Sequence, residues 1–221
     1  MKHLSFFQNK AEVYIIENSE FIRENNLYLS NYESILSPSE LEKYKRYIAI
    51  DAKYTFLTAR IFLRKLISQK LELNSPSQVN ISIAENGKPY LKDYPEFQFN
   101  MSHTKGLVII GFAKNPIGVD VEKTERESDY ENIVKHFFSE KEKESLFSLP
   151  KDKQERAFYV GWTRKEAFLK VSGDGLSKMK NNELSFDPET SQPIISNNGP
   201  DCLLEDFIPM EGYQACVCMR V

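Results

Sequence analysis

Hydrophobic residues recur along the chain with two different periods. Alternating or continuous apolar runs predict strands at residues 11–17, 79–84, 97–101, 107–113, 117–122, 184–186 and 213–219. Apolar residues at helical spacing predict helix across residues 37–71, with a break near Ile50, and a long helix over residues 153–171 that ends at Gly173. A helical region is also expected after residue 17. The pattern predicts an α+β fold.

Two similar helix starts suggest that the chain consists of two related halves. Ser37 and Ser139 can each cap a helix, and each is followed three residues later by a glutamate, Glu40 or Glu142. In both halves helices lie between strands, and Asn115-Pro116 separates two of the predicted strands. We expect an N-terminal α+β half at residues 1–115 and a C-terminal half at residues 116–221.

Composition narrows the class of protein. The 221 residues are 41% hydrophobic and 12% aromatic, which is enough for a folded core. A net charge of −3 argues against nucleic-acid binding, because such domains are usually strongly basic. No apolar run reaches membrane-spanning length, and the odd set of three cysteines fits free thiols. We expect a cytoplasmic protein without a nucleic-acid or membrane partner.

A pair of carboxylates is the first candidate for chemistry. Asp120 and Glu122 are two positions apart on a predicted strand, so both side chains leave the same face while Val119 and Val121 take the other. Like charges this close repel, and a bound metal ion is one way to relieve the repulsion. Taken alone, a solvated strand face is the commoner explanation.

A third carboxylate lies on the long predicted helix. Trp162, Glu166 and Lys170 are spaced by four residues and share one helical face. An ordinary Glu–Lys surface pair beside a core tryptophan would explain them equally well. If the fold brings Glu166 to the other two carboxylates, the all-oxygen set favours Mg²⁺ bridging substrate phosphates, and Lys170 could contact a phosphate oxygen.

Further polar residues could hold an anion. Ser102 and His103 follow a strand end, but adjacent strand residues point to different sides, so a serine nucleophile with His103 as base is disfavoured. Together with the turn lysine Lys88 they could instead bind phosphate, although either could be purely structural. Residues 37–72 carry eight basic and four acidic side chains, and this local positive excess could receive an acidic ligand or partner.

The ordered motifs of this chain resemble those of the Sfp-type 4′-phosphopantetheinyl transferases. The resemblance covers most of the chain, about residues 37–177, and its order and spacing are more specific than any single stretch. The matching stretches are residues 86–89 (Asn-Gly-Lys-Pro), 99–103 (Phe-Asn-Met-Ser-His), 117–123 (Ile-Gly-Val-Asp-Val-Glu-Lys), 137–139 (Phe-Phe-Ser), 162–170 (Trp-Thr-Arg-Lys-Glu-Ala-Phe-Leu-Lys) and 173–177 (Gly-Asp-Gly-Leu-Ser).

The resemblance implies a fold and a role for each matched residue. It implies two pseudo-symmetric α+β halves with the active site between them, and a monomer. Asp120, Glu122 and Glu166 match the Mg²⁺ ligands, with Glu166 also the candidate general base. Lys170 matches a lysine that binds pyrophosphate and donates a proton. Coenzyme A contacts are implied for Lys88, Ser102 and His103, with Lys88 and His103 near the 3′-phosphate.

One position departs from the family pattern. A basic residue is expected two positions after Ser37-Pro38, where this chain has Glu40, so Lys43 or a neighbour is expected to bind the 3′-phosphate instead. The last forty or so residues carry little motif signal.

The implied reaction is transfer of 4′-phosphopantetheine from coenzyme A to a serine of an apo acyl or peptidyl carrier protein, with release of 3′,5′-ADP. Which carrier is served remains open. The alternatives are a non-catalytic module that binds coenzyme A or a carrier, and a Mg²⁺-dependent phosphotransferase with another nucleotide substrate.

Overall fold

A computed structural model describes residues 1–18, 32–124, 129–187, 190, 194–196 and 201–221. Strands and helices occur in separate runs along the chain and all the strand pairs described are antiparallel, which confirms the predicted α+β class. In chain order the elements are β1 (Lys2–Phe6), β2 (Ala11–Glu17), α1 (Pro38–Arg46), α2 (Ile50–Lys70), β3 (Ile81–Ile83), β4 (Pro89–Leu91), β5 (Gln98–Thr104), β6 (Leu107–Ala113), β7 (Ile117–Lys123), α3 (Tyr130–Phe137), α4 (Glu140–Phe147), α5 (Lys151–Ser172), β8 (Glu183–Leu184), β9 (Ile194–Ser196), β10 (Cys202–Phe207) and β11 (Tyr213–Arg220). Short 3₁₀ helices occupy Pro76–Gln78 and Leu176–Asn181.

Two antiparallel sheets form the centre of the fold. The first has strand order β1-β2-β6-β5 and the second has order β10-β11-β7, while β3–β4 and β8–β9 are separate two-stranded ribbons. Alternate residues of the two large sheets share one hydrophobic cluster, which includes Val13, Ile109, Val119 and Val217. The two sheets therefore pack face to face, because a single cluster contains side chains from both.

A helix covers the outer face of each large sheet. Leu63 and Ile67 of α2 pack against Ile16, Val108 and Ile110 of the first sheet. On the other side of the molecule, Ala167, Phe168 and Val171 of α5 share a cluster with Cys216 and Cys218 of β11. The cysteines are free thiols. Strand β6 is buried on both faces: Leu107 and Ile109 lie between the two sheets, and Val108 and Ile110 lie under α2. This explains its continuous apolar sequence.

Most predicted boundaries agree with the structure. Ser37 and Ser139 both make the reciprocal hydrogen bonds of a capping box, at the starts of α1 and α4. The expected break near Ile50 separates α1 from α2, and α5 ends at Gly173 in the left-handed conformation.

Four strands were not predicted: β1, β4, β9 and β10. Strand β1 precedes the segment expected to be first, and β10 lies in the C-terminal region that carried little motif signal. β1 has mostly exposed side chains, so it lacks the apolar alternation that the prediction used. The helical region expected after residue 17 lies largely at residues 19–31, outside the described residues. None of the helices in the described part of the chain is both long and apolar enough to cross a membrane.

Candidate active site

Side chains alternate between the two faces of β7, so its two carboxylates, Asp120 and Glu122, point away from the interface between the sheets. Val119 and Val121 lie in the cluster between the sheets, while Asp120 and Glu122 point to the opposite face, where α5 packs. Asp120 is only 1% exposed. A carboxylate this deeply buried requires a positively charged or hydrogen-bonding partner.

Lys170 of α5 is that partner. Its Nζ lies 2.6 Å from Asp120 Oδ1 and 3.3 Å from Glu166 Oε2. Ser102 Oγ of β5 donates to the same Asp120 oxygen at 2.8 Å and accepts from Lys170 Nζ at 3.2 Å. Burial alone would lower the pKa of Lys170, but Asp120 and Glu166 outweigh it and raise the pKa. Lys170 is therefore held as an ammonium ion.

The pKa values of the other two carboxylates, Glu122 and Glu166, are raised as well. Burial, followed by the charges of Asp120 and Glu166, raises the pKa of Glu122 to about 7. Burial and Asp120 also raise the pKa of Glu166, although Lys170 opposes the shift. Trp162 Nε1 donates to Glu122 Oε1 at 3.3 Å, so the predicted helical face of Trp162, Glu166 and Lys170 does meet the strand pair. The three carboxylates lie close enough to repel one another.

These side chains line a single cleft of about 500 Å³. Seven of the eight predicted site residues are among its lining residues: Lys88, Ser102, His103, Asp120, Glu122, Glu166 and Lys170. The remainder are Arg60, Asn86, Gly87, Pro89, Asn100, Met101, Gly173, Asp174 and Gly175. Residues from both 1–115 and 116–221 therefore contribute to the same cleft.

Lys88 and Asn86 join the β3–β4 turn to the end of α5. Lys88 Nζ donates to the carbonyl oxygen of Val171 at 2.5 Å, and Asn86 Nδ2 donates to that of Ser172 at 3.4 Å. Burial lowers the pKa of Lys88. The turn thus closes one side of the cleft by bonding to the carbonyl groups that a helix leaves free at its C-terminus.

His103 lies on β5, next to Ser102, and lines the same cleft as the carboxylates of β7. The residue is exposed at the cleft, but the protein atoms packed around its ring lower its pKa by desolvation, and the positive charges of Lys170, Arg60 and Lys43 lower it further. A neutral imidazole surrounded by cations is suited to receive an anion, because an added negative charge offsets that positive field.

Lys43 is the one predicted residue that does not line this cleft. It borders a neighbouring cavity of about 530 Å³ with Ser39, Glu42, Arg46 and Tyr47. Its Nζ lies 5.6 Å from the centroid of the Phe56 ring. The structure places Lys43 beside the main cleft and not in its wall.

Sequence reasoning missed two polar residues of the site. Arg60 of α2 lines the cleft, and in the sequence it was only one of eight basic residues in residues 37–72. Asn100 Oδ1 accepts from the backbone amide of Val119 at 3.0 Å and so joins β5 to β7. Asn100 lies in the quoted motif, but no sequence signal shows that its side chain bonds to β7.

Two residues of the 162–170 motif have structural roles. Arg164 is 1% exposed; it forms an ion pair with Asp206 and donates to the carbonyl oxygen of Ser185. Lys165 is also buried, and its Nζ lies 2.6 Å from Glu142 Oε1. These side chains point away from the cleft and fasten α5 to neighbouring elements.

The donor set fits a hard cation. Asp120, Glu122 and Glu166 supply only carboxylate oxygens, which suit Mg²⁺ better than zinc. Asp120 Oδ2 is buried and has no hydrogen-bond partner, so it has an unused lone pair. As the side chains stand, no three His, Cys, Asp or Glu of the described residues are arranged to hold a metal ion. Lys170 instead balances the charge of Asp120.

Comparison with known proteins gives a consistent assignment. The model of the 4′-phosphopantetheinyl transferase superfamily matches residues 116–218, and that of the 4′-phosphopantetheinyl transferase N-terminal domain matches residues 25–115. The chain is 34% identical over 190 residues to 4′-phosphopantetheinyl transferase Sfp of Bacillus subtilis, covering 85% of this chain and 83% of the relative. It is 31% identical over 196 residues to 4′-phosphopantetheinyl transferase HetI of Nostoc, covering 86% and 81%.

A relative from a mammal belongs to the same family. The chain is 34% identical over 168 residues to the mouse L-aminoadipate-semialdehyde dehydrogenase-phosphopantetheinyl transferase, covering 69% of this chain and 52% of the relative. The match to the family models extends over most of the sequence and includes the segments that carry the carboxylates and Lys170. The chain therefore belongs to the 4′-phosphopantetheinyl transferase superfamily.

Proposed function

We propose that this protein transfers the 4′-phosphopantetheine group of coenzyme A to a serine of an apo acyl or peptidyl carrier protein and releases 3′,5′-ADP. The observation that carries the proposal is the convergence of Asp120, Glu122, Glu166 and Lys170 in one cleft. Membership of the family supports the reaction class. A pure binding module would not require an ammonium ion and three carboxylates at the same point.

Lys170 stabilises the leaving phosphate. Asp120 and Glu166 keep it protonated, and Ser102 and Asp120 hold its Nζ in place. When the bond between the β-phosphorus and the oxygen of 3′,5′-ADP breaks, negative charge develops on that oxygen. Lys170 compensates the charge and donates a proton to the oxygen, so the leaving group departs as a phosphate monoester.

Glu166 accepts the proton from the carrier serine. Its raised pKa makes it a stronger base than an exposed glutamate while it remains able to ionise. The serine oxygen forms the new bond to the β-phosphorus as its proton passes to Glu166, directly or through one water molecule. No enzyme nucleophile and no covalent enzyme intermediate are required.

Asp120, Glu122 and Glu166 are the residues that would hold Mg²⁺. The ion, when bound, supplies positive charge that polarises the pyrophosphate and offsets the repulsion among the three carboxylates. The unpaired Asp120 Oδ2 supports this assignment, because it is a buried acceptor without a donor.

Coenzyme A occupies the cleft between the two halves of the protein. Lys88, Ser102 and His103 contact it, and Lys43 reaches its 3′-phosphate from the neighbouring cavity. The halves, residues 1–115 and 116–221, are pseudo-symmetric in this proposal, and the active site lies at their interface. The enzyme acts in the cytoplasm as a monomer.

The carrier protein docks on the basic surface of α1 and α2. Lys45 and Arg46 are exposed there, beside Ile48, which is 100% exposed, and Ile50, which is 56% exposed. Carrier proteins are acidic, so opposite charges steer the encounter and the isoleucines supply apolar contact.

A transfer assay tests the proposal. The protein is incubated with coenzyme A, Mg²⁺ and an apo carrier, and the carrier is examined by mass spectrometry for the mass gain of phosphopantetheine. The gain supports the transferase. Binding of coenzyme A or carrier without any gain supports a non-catalytic module, and activity on another nucleotide alone supports a different phosphotransferase.

A further inference from the structure

A second cavity, of about 710 Å³, lies at the other end of the first sheet from the active-site cleft. Ala113 at the end of β6 lines it and pairs with Gln98 of β5, whereas Ser102, which lines the cleft, pairs with Ile109. Gln98 and Ser102 are four residues apart, which is about 13 Å along a strand. The two cavities share no lining residue in the described part of the chain. A ligand in the second cavity would therefore not touch the residues of the cleft.

The second cavity has an apolar wall made by Phe97, Phe112 and Met219. The two phenylalanine rings meet edge to face, with centroids 5.7 Å apart. Lys70 Nζ lies 5.1 Å from the centroid of Phe112 and 2.5 Å from Glu12 Oε2, so the charge of this lysine is already compensated. Because aromatic rings held in place favour stacked and edge-on contacts with other rings, the wall suits an aromatic ligand.

The rim of the second cavity is positively charged. Lys10 and Lys114 are exposed there, and neither forms an ion pair with a carboxylate of the described residues. In all, three lysines and two glutamates, Glu12 and Glu96, line the cavity, which leaves one net positive charge. A single anionic group satisfies that charge, whereas a polyphosphate would be repelled by the two glutamates.

The turn that brings Lys10 to the rim has a strained backbone. Phe7, Gln8 and Asn9 have φ angles of 52°, 56° and 67°, in the left-handed region that residues with a Cβ atom disfavour. Asn9 lines the cavity together with Lys10. Backbone strain of this kind lowers stability and is concentrated at binding and active sites. The turn therefore supports a ligand site at this end of the sheet.

We propose that the second cavity binds a small molecule that combines a flat aromatic body with one carboxylate. The aromatic body packs against Phe97 and Phe112. The carboxylate faces Lys10 and Lys114, where the positive charge is uncompensated. Cavities of this volume are typical of small-molecule sites. The inference does not depend on the proposed function, because the cavity lies outside the cleft.

Titration calorimetry on the full chain tests this with three probes. The probes are 2-naphthoate, which has both groups, 2-naphthalenemethanol, which lacks the charge, and acetate, which lacks the aromatic body. We expect 2-naphthoate to bind more tightly than either of the others, and its binding to weaken as salt rises.

Charge reversal identifies the binding site. The double variant Lys10→Glu with Lys114→Glu should weaken 2-naphthoate binding by about fivefold or more and change 2-naphthalenemethanol binding by less than about twofold. Lys135→Glu with Lys153→Glu is the matched control, since it changes the net charge equally at exposed lysines of α3 and α5 outside the cavity. This control should bind both aromatic probes as the wild type does.

Coenzyme A separates the second cavity from the cleft. Saturating coenzyme A should leave the affinity for 2-naphthoate unchanged. Displacement of 2-naphthoate by coenzyme A would place its binding in the cleft and overturn the inference. The inference also fails if the wild type does not bind 2-naphthoate, or if the Lys10 and Lys114 double variant binds it as tightly as the wild type. None of these results would bear on whether the protein transfers phosphopantetheine.

Discussion

Gly118 of β7 is pressed against the backbone of α5 at Ala167. A Cβ atom on Gly118 would lie 2.0 Å from the carbonyl oxygen of Ala167, well inside van der Waals contact. Since a backbone oxygen in the middle of a helix cannot move aside, only glycine permits this approach. The contact fixes how far Asp120 and Glu122 lie from Glu166 and Lys170.

Gly118→Ala should therefore both destabilise the protein and reduce transfer. We expect a loss of about 1–3 kcal/mol in the free energy of unfolding, because the added methyl forces β7 and α5 apart. Urea denaturation measures this change. Gly175→Ala is the matched control, since its Cβ would meet no atom within 4 Å, and an equal loss in both variants would contradict the explanation.

Glu166→Gln should abolish transfer and leave folding intact, because it removes the charge that accepts the serine proton but keeps the volume of the side chain. We expect kcat to fall by at least about 100-fold. The measurement is the rate of carrier modification, with coenzyme A binding and the thermal midpoint as controls. Turnover at the wild-type rate would eliminate Glu166 as the base.

Glu122 should give the metal-free protein a distinctive pH dependence. Its pKa is raised from 4.5 to about 7, so the folded state binds more protons than the unfolded state between these values. Its contribution to stability is thus most favourable below pH 4.5, falls as pH rises, and reaches its full cost, about 3 kcal/mol, above pH 7.

Glu122→Gln removes that titration. In the presence of a chelator, the variant should be more stable than the wild type at pH 8, and this difference should shrink towards pH 4.5. Chemical denaturation at several pH values measures it. A difference that stays constant with pH would show that burial and the neighbouring carboxylates do not raise the pKa of Glu122 in solution.

Lys165 should be essential for stability and not for chemistry. It is 2% exposed and pairs with Glu142, which also accepts from the backbone amides of Ser139 and Leu184. Lys165→Met leaves the buried carboxylate without its cation, and we expect a loss of about 3–5 kcal/mol. Equilibrium unfolding tests this.

The double variant Lys165→Met with Glu142→Gln is the matched control. It removes both charges and keeps an amide oxygen that can accept from Leu184, so it should recover part of the lost stability. If the double variant is no more stable than Lys165→Met alone, an unpaired charge is not the source of the loss.

Binding of the carrier should weaken as salt rises, because exposed charges are screened. We expect the KM for an acidic carrier to increase with ionic strength. Charge reversal at Lys45 and Arg46 should increase the KM at low salt, with little change in kcat. A KM that is independent of salt would place the docking surface elsewhere on the protein.

The sequence predicted those elements whose local signals agree with their environment. β6 is a continuous apolar run because both of its faces are covered, and the capping boxes at Ser37 and Ser139 depend only on residues within one turn. β1 was missed because its side chains are mostly exposed, so its pairing with β2 leaves no hydrophobic alternation in the sequence.

The sequence motifs predicted which residues form the candidate site, but not the contacts that these residues make with one another. The shared face of Asp120 and Glu122 followed from strand geometry, and the structure places Glu166 and Lys170 beside them. The role of Lys170 as the direct partner of Asp120 is a contact between elements fifty residues apart. Arg60 was overlooked for the same reason, since its position depends on how α2 packs against the first sheet.

Helix α5 carries two sets of residues in one short motif. Glu166 and Lys170 face the cleft, whereas Arg164 and Lys165 are buried against other elements. An alanine scan through residues 162–170 would therefore give inactive variants of two kinds, one with normal soluble yield and one degraded or aggregated in the cell. Activity measured in crude extracts would not separate them, so only purified, folded variants can identify the chemical residues of this helix.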